Sequence, residues 1–359
     1  MIVKKLLLKD FRNYEELSLT DIDPKINLIL GENAQGKTNL IEAIYFLSCG
    51  RSFRSATEER LIREGCSAAY LKAEYETASS RGKMEAALFH DKKRSVKING
   101  VAVRKMSEII GRINTVVFAP EDMKMIKESP SLRRRLVDIE ISKLSPSYYV
   151  SLQRYMAALK EKNRLLKEER PSFDLIDLYN MQLAEHGAKL IRKREEFLNH
   201  IGAHACEIHS YLTDNTENLL IKYRPSAEVE EAQRSLSERL TANFSRECDQ
   251  RISLIGPHRE DFDIFINARD AKLMASQGQQ RTAMISIKLA CAKTAVEYCS
   301  EKPVLLLDDV FSELDKKRAE RLMNVADDFQ VFITSADAES FHGLKNGKII
   351  KVSAGRIFS

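Results

Sequence analysis

One octapeptide, Gly31-Glu32-Asn33-Ala34-Gln35-Gly36-Lys37-Thr38, restricts the possible folds of this chain more than any other feature. The apolar run Ile26-Asn27-Leu28-Ile29-Leu30 leads straight into it, and Leu40, Ile41, Ala43, Ile44 and Leu47 follow at helical spacing. Strand, glycine-rich loop and helix in that order are the context a P-loop needs. Gly31 and Gly36 allow the backbone to turn so that successive N–H groups point at a phosphate, at the positive end of the next helix. Lys37 then reaches the β- and γ-phosphates, and the Thr38 hydroxyl ligates Mg²⁺. The expected ligands are ATP and Mg²⁺, held by Gly31, Glu32, Asn33, Ala34, Gln35, Gly36, Lys37, Thr38 and the adjoining Asn39.

Two distant segments complete such a site. Val304-Leu305-Leu306-Leu307 is a run of four apolar residues, the mark of a strand buried on both faces of a parallel sheet, and it ends in Asp308-Asp309. Asp308 is expected to hold the metal, mostly through water, and Asp309 to orient or deprotonate the attacking water; Lys37 and Asp309 are the catalytic pair. Ser276-Gln277-Gly278-Gln279-Gln280 precedes a helix with apolar residues at Met284, Ile287, Cys291 and Ala295. Ser276 and the Gly278 amide would sit at a helix N-terminus, an anion site or a plain serine cap.

The rest of the chain frames these pieces. At 359 residues it is long enough for two lobes around a large core. Residues 1–30 and 70–118 read as strands, with Ser95 to Val101 a hairpin turning at Asn99-Gly100. From Leu132 to Leu212 the texture is charged and helical, with one long stretch over Tyr148–Glu169 and another from Asp174 to His209. Strand-like sequence returns at 219–223 and 262–266, and the final hundred residues alternate helix and strand. The expected division is an ATPase lobe over 1–119 and 253–359 with a helical lobe inserted at 120–252. Six cysteines without a CxxC pair read as free thiols of a reducing compartment, and no apolar run approaches the roughly 20 residues of a membrane span. A cytoplasmic protein is expected, with no membrane partner. The net charge of +5 permits an acidic partner without requiring one.

The ensemble resembles the ABC/SMC class of ATPase heads and, within it, the RecF family of bacterial DNA replication and repair proteins. The resemblance runs essentially the whole length. It is carried by Leu8-Lys9-Asp10-Phe11-Arg12-Asn13-Tyr14, the P-loop, Gly50-Arg51-Ser52-Phe53-Arg54, Phe118-Ala119-Pro120-Glu121-Asp122, Gly256-Pro257-His258-Arg259-Glu260-Asp261, the Ser276 loop about thirty residues before Asp308-Asp309, and Phe311-Ser312-Glu313-Leu314-Asp315. It implies an α/β fold, an ABC-type P-loop ATPase head with an inserted mainly helical lobe. It implies that Ser276, Gly278 and Gln279 form a signature loop acting on another subunit's ATP, beside a dimer loop carrying Ser312 and Asp315, and that Arg12 and Asn13 lie near the nucleotide. It further implies an ATP-dependent homodimer on duplex DNA near single-strand gaps, working with RecR and RecO to help RecA displace single-strand-binding protein, with hydrolysis reopening the clamp.

Two departures from transporter-type relatives point to slow turnover. Asp309 stands where glutamate is usual, so its carboxylate lies about one methylene further from the water. Thr334-Ser335-Ala336 follows the strand at 331–333 without a switch histidine. The transporters' Q-loop has no clear counterpart, Glu121 or Asp122 being the nearest in position. Candidate DNA contacts are Arg51, Arg54, Arg133, Arg134 and Arg135, with Lys160, Lys162 and Arg164 as a further run. For each, the competing reading is a solvated helix face or an internal salt bridge. A transporter ATPase subunit would need a membrane-coupling surface, an arm-bearing SMC protein a far longer insertion, and a small-molecule kinase would leave the Ser276 loop unexplained.

Overall fold

The structure is a computed structural model describing residues 1–55, 57–336 and 347–358. By internal contacts the chain forms two units: Met1–Met123, Glu207–Glu217 and Ser276–Ser359 make the first, and Lys124–Cys206 with Asn218–Ala275 the second.

The first unit is built from two sheets with a helix buried against both. One sheet is antiparallel and ordered β2-β1-β4-β5-β6-β7, from β1 (Ile2–Phe11), β2 (Tyr14–Leu19), β4 (Ala68–Glu76), β5 (Arg81–Phe89), β6 (Ser95–Ile98) and β7 (Val101–Val103). Its period-2 alternation sends Leu6, Leu8, Leu71, Ala73, Met84 and Ala86 to the core and charged residues to solvent. The other sheet is ordered β15-β14-β3-β13-β12-β8, from β3 (Ile26–Leu30), β8 (Thr115–Phe118), β12 (Val304–Asp308), β13 (Val331–Ser335), β14 (Lys348–Ser353) and β15 (Arg356–Phe358). Strands β3, β8, β12 and β13 are buried along their whole length, as continuous apolar runs in a parallel sheet require. Helix α1 (Lys37–Cys49) packs against strands of both sheets and is buried on nearly every side from Leu40 to Cys49. The sheet register places the P-loop: β3 lies between β13 and β14, so the loop leaving β3 emerges beside the carboxyl end of β13.

The second unit holds α2 (Pro130–Leu144), α3 (Pro146–Leu165), most of the 40-residue α4 (Phe173–Leu212), α5 (Ala232–Ala242) and α6 (Phe244–Gln250). It also holds a three-stranded sheet of β9 (Leu219–Arg224), β10 (Asp261–Ile266) and β11 (Arg269–Asp270). This corrects the boundaries expected at 119/120 and 252/253. Strand β10 pairs along its whole length with β9, from Asp261↔Arg224 to Ile266↔Leu219, and so holds residues 253–275 in the helical unit. Among the described residues no helix is long and apolar enough to cross a membrane, and the cysteines are free thiols.

In the Gly256-Pro257-His258-Arg259 motif of this second unit, Gly256 and Pro257 are buried, His258 is half-buried and Arg259 is exposed. Gly256 has φ +129, and a Cβ there would lie 2.3 Å from the Tyr155 hydroxyl. His258 Nε2 faces the Ser253 carbonyl at 3.2 Å, so that nitrogen carries the proton and Nδ1 accepts from the Tyr155 hydroxyl at 2.7 Å. Burial pushes the imidazole down to about 4 from an ordinary 6.5. An unfolded His258 takes up its proton near pH 6.5 and the folded one only near 4, so this contribution is complete above pH 6.5 and drains away as pH falls towards 4. The full loss is about 3 kcal/mol. Urea midpoints at neutral pH and near pH 4.5 should therefore drop more in wild type than in His258→Gln; parallel drops would rule out this histidine as the acid-sensitive group.

Candidate nucleotide site

The loop after β3 takes its shape from close approaches on two sides. A Cβ on Gly31 would lie 2.2 Å from the Val352 carbonyl of β14, and one on Gly36, at φ +117, would lie 2.7 Å from the Asn13 amide. The loop is held from behind: Gln35 O accepts from Gly355 N at 3.1 Å and from Asn13 Nδ2 at 2.8 Å, while Gln35 Oε1 accepts from Ala354 N. Gly36 caps α1 with no side chain, which leaves the helix's first N–H groups available to an anion. Lys37 Nζ donates to the Gly31 and Glu32 carbonyls at 2.5 and 2.8 Å. Burial lowers its pKa, with the charges of Asp309 and Asp308 acting the other way.

Thr38 Oγ1 and Thr334 Oγ1 both donate to Asp308 Oδ1 at 2.7 Å. Asp308 is only 5% exposed, and burial raises its pKa against these two hydrogen bonds and the nearby Arg54 charge. A hydroxyl and a carboxylate oxygen meeting at one point fit a hard cation that completes its shell with phosphate and water, as Mg²⁺ does. Asp309 is exposed, sits at φ 51, and donates its backbone N–H to Thr334 Oγ1 at 3.0 Å. Thr334 thus links the two aspartates, a role no sequence motif announced. A shallow cleft opens beside them, lined by Phe118, Asp122, Arg281, Met284, Asp308 and Asp309. Pairing of β8 with β12 delivers residues 119–122 to this place, and the Glu121 charge acts on Asp308 there.

Arg12 and Asn13 divide their work. Asn13 bonds Gln35 O and accepts from Asn39 Nδ2 at 2.9 Å, so it clasps the loop directly. The Arg12 guanidinium goes instead to Glu42, at 2.9 and 2.8 Å, and to the Arg60 carbonyl at 2.9 Å. Glu42, fully buried on α1, also accepts from Ser52 Oγ, which in turn accepts from the backbone N–H groups of Arg54 and Ser55. Sequence reading missed Glu42; a carboxylate inside an otherwise apolar helix was the available signal. Tyr14 is a second such case, buried and donating to Gly36 O at 2.9 Å.

The Ser276 loop opens α7 (Gln277–Cys299) with a capping box: Ser276 Oγ accepts from Gln279 N at 3.2 Å, and Gln279 Oε1 accepts from Ser276 N at 2.9 Å. Gln279 Nε2 is anchored on Glu217 at 2.9 Å. Ser276, Gln277 and Gly278 are exposed. Ser312 Oγ donates to the Asp309 carbonyl at 2.9 Å, and Asp315 caps α8 (Lys316–Ala326) by accepting from Arg318 N at 3.0 Å. The nearest atom to a Cβ at Gly278 is Arg318 Nη1 at 3.7 Å. The sequence-expected residues thus form two clusters, Asn13–Lys37–Thr38–Asp308–Asp309 and Ser276–Gly278–Asp315.

Several basic candidates are withdrawn by their partners. Arg133 is 6% exposed, bound to both oxygens of Asp261 at 2.7 Å and to the Met125 carbonyl. Arg134 donates to the Glu260 carbonyl at 2.6 Å. Lys162 is fully buried against Glu247 at 2.6 Å, and Arg164 pairs with Glu161 and Glu168. Helical spacing alone could not distinguish these inward positions from Lys160 and Arg135, which are exposed. Arg51 and Arg54 are exposed too, and Arg54 Nη1 donates to Asn39 Oδ1 at 3.2 Å, on the nucleotide side of its loop.

Comparison with known proteins gives a consistent result. The family described as RecF/RecN/SMC N terminal domain matches residues 2–356. The DNA replication and repair protein RecF of Clostridium perfringens is 37% identical over 360 residues, covering 99% of each chain. That of Staphylococcus carnosus is 38% identical over 371 residues, covering 99% of this chain and all of its own. A solved structure of the recombination mediator protein RecF with ATP, from the RecFOR pathway, superposes with a TM-score of 0.91 at 35% identity, covering 99% of this chain and 98% of the other. An Smc head bound to the C-terminal winged-helix domain of ScpA shares the fold at 16% identity, with a TM-score of 0.59.

Proposed function

The chain belongs to the RecF family of DNA replication and repair proteins, and on that premise we propose that it is a DNA clamp whose homodimer closes when ATP is bound. The observation that carries this reading is Gly278. Its backbone has no left-handed φ and its own chain leaves room for a side chain, so nothing within the subunit calls for glycine. An exposed serine-capped helix start with a bare glycine suits close approach by another subunit's triphosphate.

In this reading the P-loop amides and Lys37 hold the phosphates, and Asn13 fixes the loop that presents them. Thr38 and Asp308 would hold Mg²⁺, which screens the phosphate charge when bound. The Asp309 carboxylate takes the proton of the attacking water. Ser276 and Gly278 of one subunit complete the site of the other, with Ser312 and Asp315 beside them. The relatives' place in the RecFOR pathway supports a recombination-mediator role; in this reading duplex DNA near single-strand gaps is the substrate, RecR and RecO are partners and RecA loading is the outcome. Hydrolysis is slow and reopens the clamp.

Light scattering with Mg²⁺ tests the dimer. The 41.0 kDa mass is expected to double on adding ATP in wild type and to stay unchanged in Gly278→Asp. A wild-type mass that ignores ATP, with nucleotide binding confirmed by a fluorescent analogue, would overturn the ATP-closed dimer.

A further inference from the structure

The β6–β7 hairpin and the residues that flank it concentrate the molecule's positive charge. Residues 92–105 contain six basic side chains, Lys92, Lys93, Arg94, Lys97, Arg104 and Lys105, and no acidic one. The whole chain carries only +5, so everything outside these fourteen residues is close to neutral. Among the six, Arg94 is paired, with Glu58. The other five are exposed, and among the described residues none has a carboxylate within ion-pair distance.

The solvent face of the same sheet behaves differently further in. On β1, β4 and β5, Lys5 and Lys72 pair with Glu74, and Lys83 pairs with Glu85. Register puts Lys72, Glu85, Lys97 and Ala102 in one row across β4, β5, β6 and β7. Cation and anion alternate along this row until β6, where the carboxylates stop. Strand β7 is the sheet's edge, and the hairpin turns tightly at Asn99-Gly100, both with positive φ. A narrow two-stranded ribbon bearing uncompensated cations at its margin suits a polyanion with closely spaced charges.

We propose that this hairpin is a phosphate-contacting surface for duplex DNA, with Lys97, Arg104 and Lys105 as its principal contacts. The proposal rests on the DNA-clamp reading and adds a surface that the sequence had not singled out. Contacts of this kind act through counterion release, each steepening the fall of log K with log salt by about 0.9.

Fluorescence anisotropy of labelled duplex DNA across a salt series, with Mg²⁺ and a non-hydrolysable ATP analogue, tests it. Lys97→Gln/Arg104→Gln/Lys105→Gln is expected to flatten the slope by about 3 and to weaken binding on the order of 10²-fold near 0.1 M salt. Lys189→Gln/Lys193→Gln/Arg234→Gln removes the same charge from cations already paired with glutamates, and should leave the slope unchanged. Unchanged analogue binding and melting temperature establish that the hairpin variant is folded. If that variant binds duplex with the wild-type slope, the hairpin assignment is wrong and the DNA reading stands. If wild type fails to bind duplex at all, the DNA reading fails and the hairpin proposal with it.

Discussion

Asp309→Asn is expected to lower kcat for ATP hydrolysis by about 10²–10³-fold while leaving ATP affinity near that of wild type, because it removes the proton acceptor and keeps the side chain's size. The ATP-bound dimer should consequently persist in light scattering long after wild type has reverted. Asp309→Glu isolates a second effect. The residue sits at φ 51, a conformation that aspartate tolerates better than longer side chains. Its neighbours Asp308 and Thr334 pin the backbone there through the bond from Asp309 N. Glutamate would extend the carboxylate by one methylene towards the water at a modest conformational cost, and a faster turnover is expected. A raised KM with unchanged kcat in Asp309→Asn would mean that the residue binds nucleotide and does not handle the proton.

Glu247→Ala is expected to destabilise the protein by about 3–5 kcal/mol, since it strands the buried Lys162 ammonium without a counter-ion. Both side chains are fully buried and 2.6 Å apart. Burial depresses the Lys162 pKa, and Glu247 pulls it back up. Glu247 Oε1 also accepts from Leu254 N and Ser253 Oγ, at 2.7 and 3.1 Å, bracing the loop that leads to Gly256. Urea denaturation reads the loss directly. Lys162→Met/Glu247→Leu should recover most of it, because replacing a whole buried pair with apolar side chains removes the desolvation cost of both charges. A loss under 1 kcal/mol in the single variant would show that water reaches the pair.

The sequence made the site's main parts readable because each has an obligatory local pattern. A P-loop needs glycines at fixed offsets, and a buried parallel strand needs an unbroken apolar run before its aspartates. Cross-chain partners leave no such trace. Glu42 looks like an ordinary helical glutamate until Arg12 and Ser52 converge on it. Arg133 sits two residues from the exposed Arg135 in the same basic triplet and still points to Asp261, because a helix turns about 100° per residue. The lobe boundary at 252 failed for a similar reason: β10 reads as a strand in any sheet, and only its pairing with β9 says which one.

The position of β3 also bears on how the protein comes into being on the ribosome. Its two neighbours, β13 and β14, are translated about 300 residues after it. At 5–20 residues per second that is a wait of roughly 15–60 s, during which the nascent P-loop has neither flanking strand. The turn at Ala354-Gly355 that fastens Gln35 arrives later than either of them. The nucleotide pocket is therefore assembled only once these downstream strands have been made, and a chain terminated before them carries an intact phosphate-binding motif with neither flanking strand to hold it.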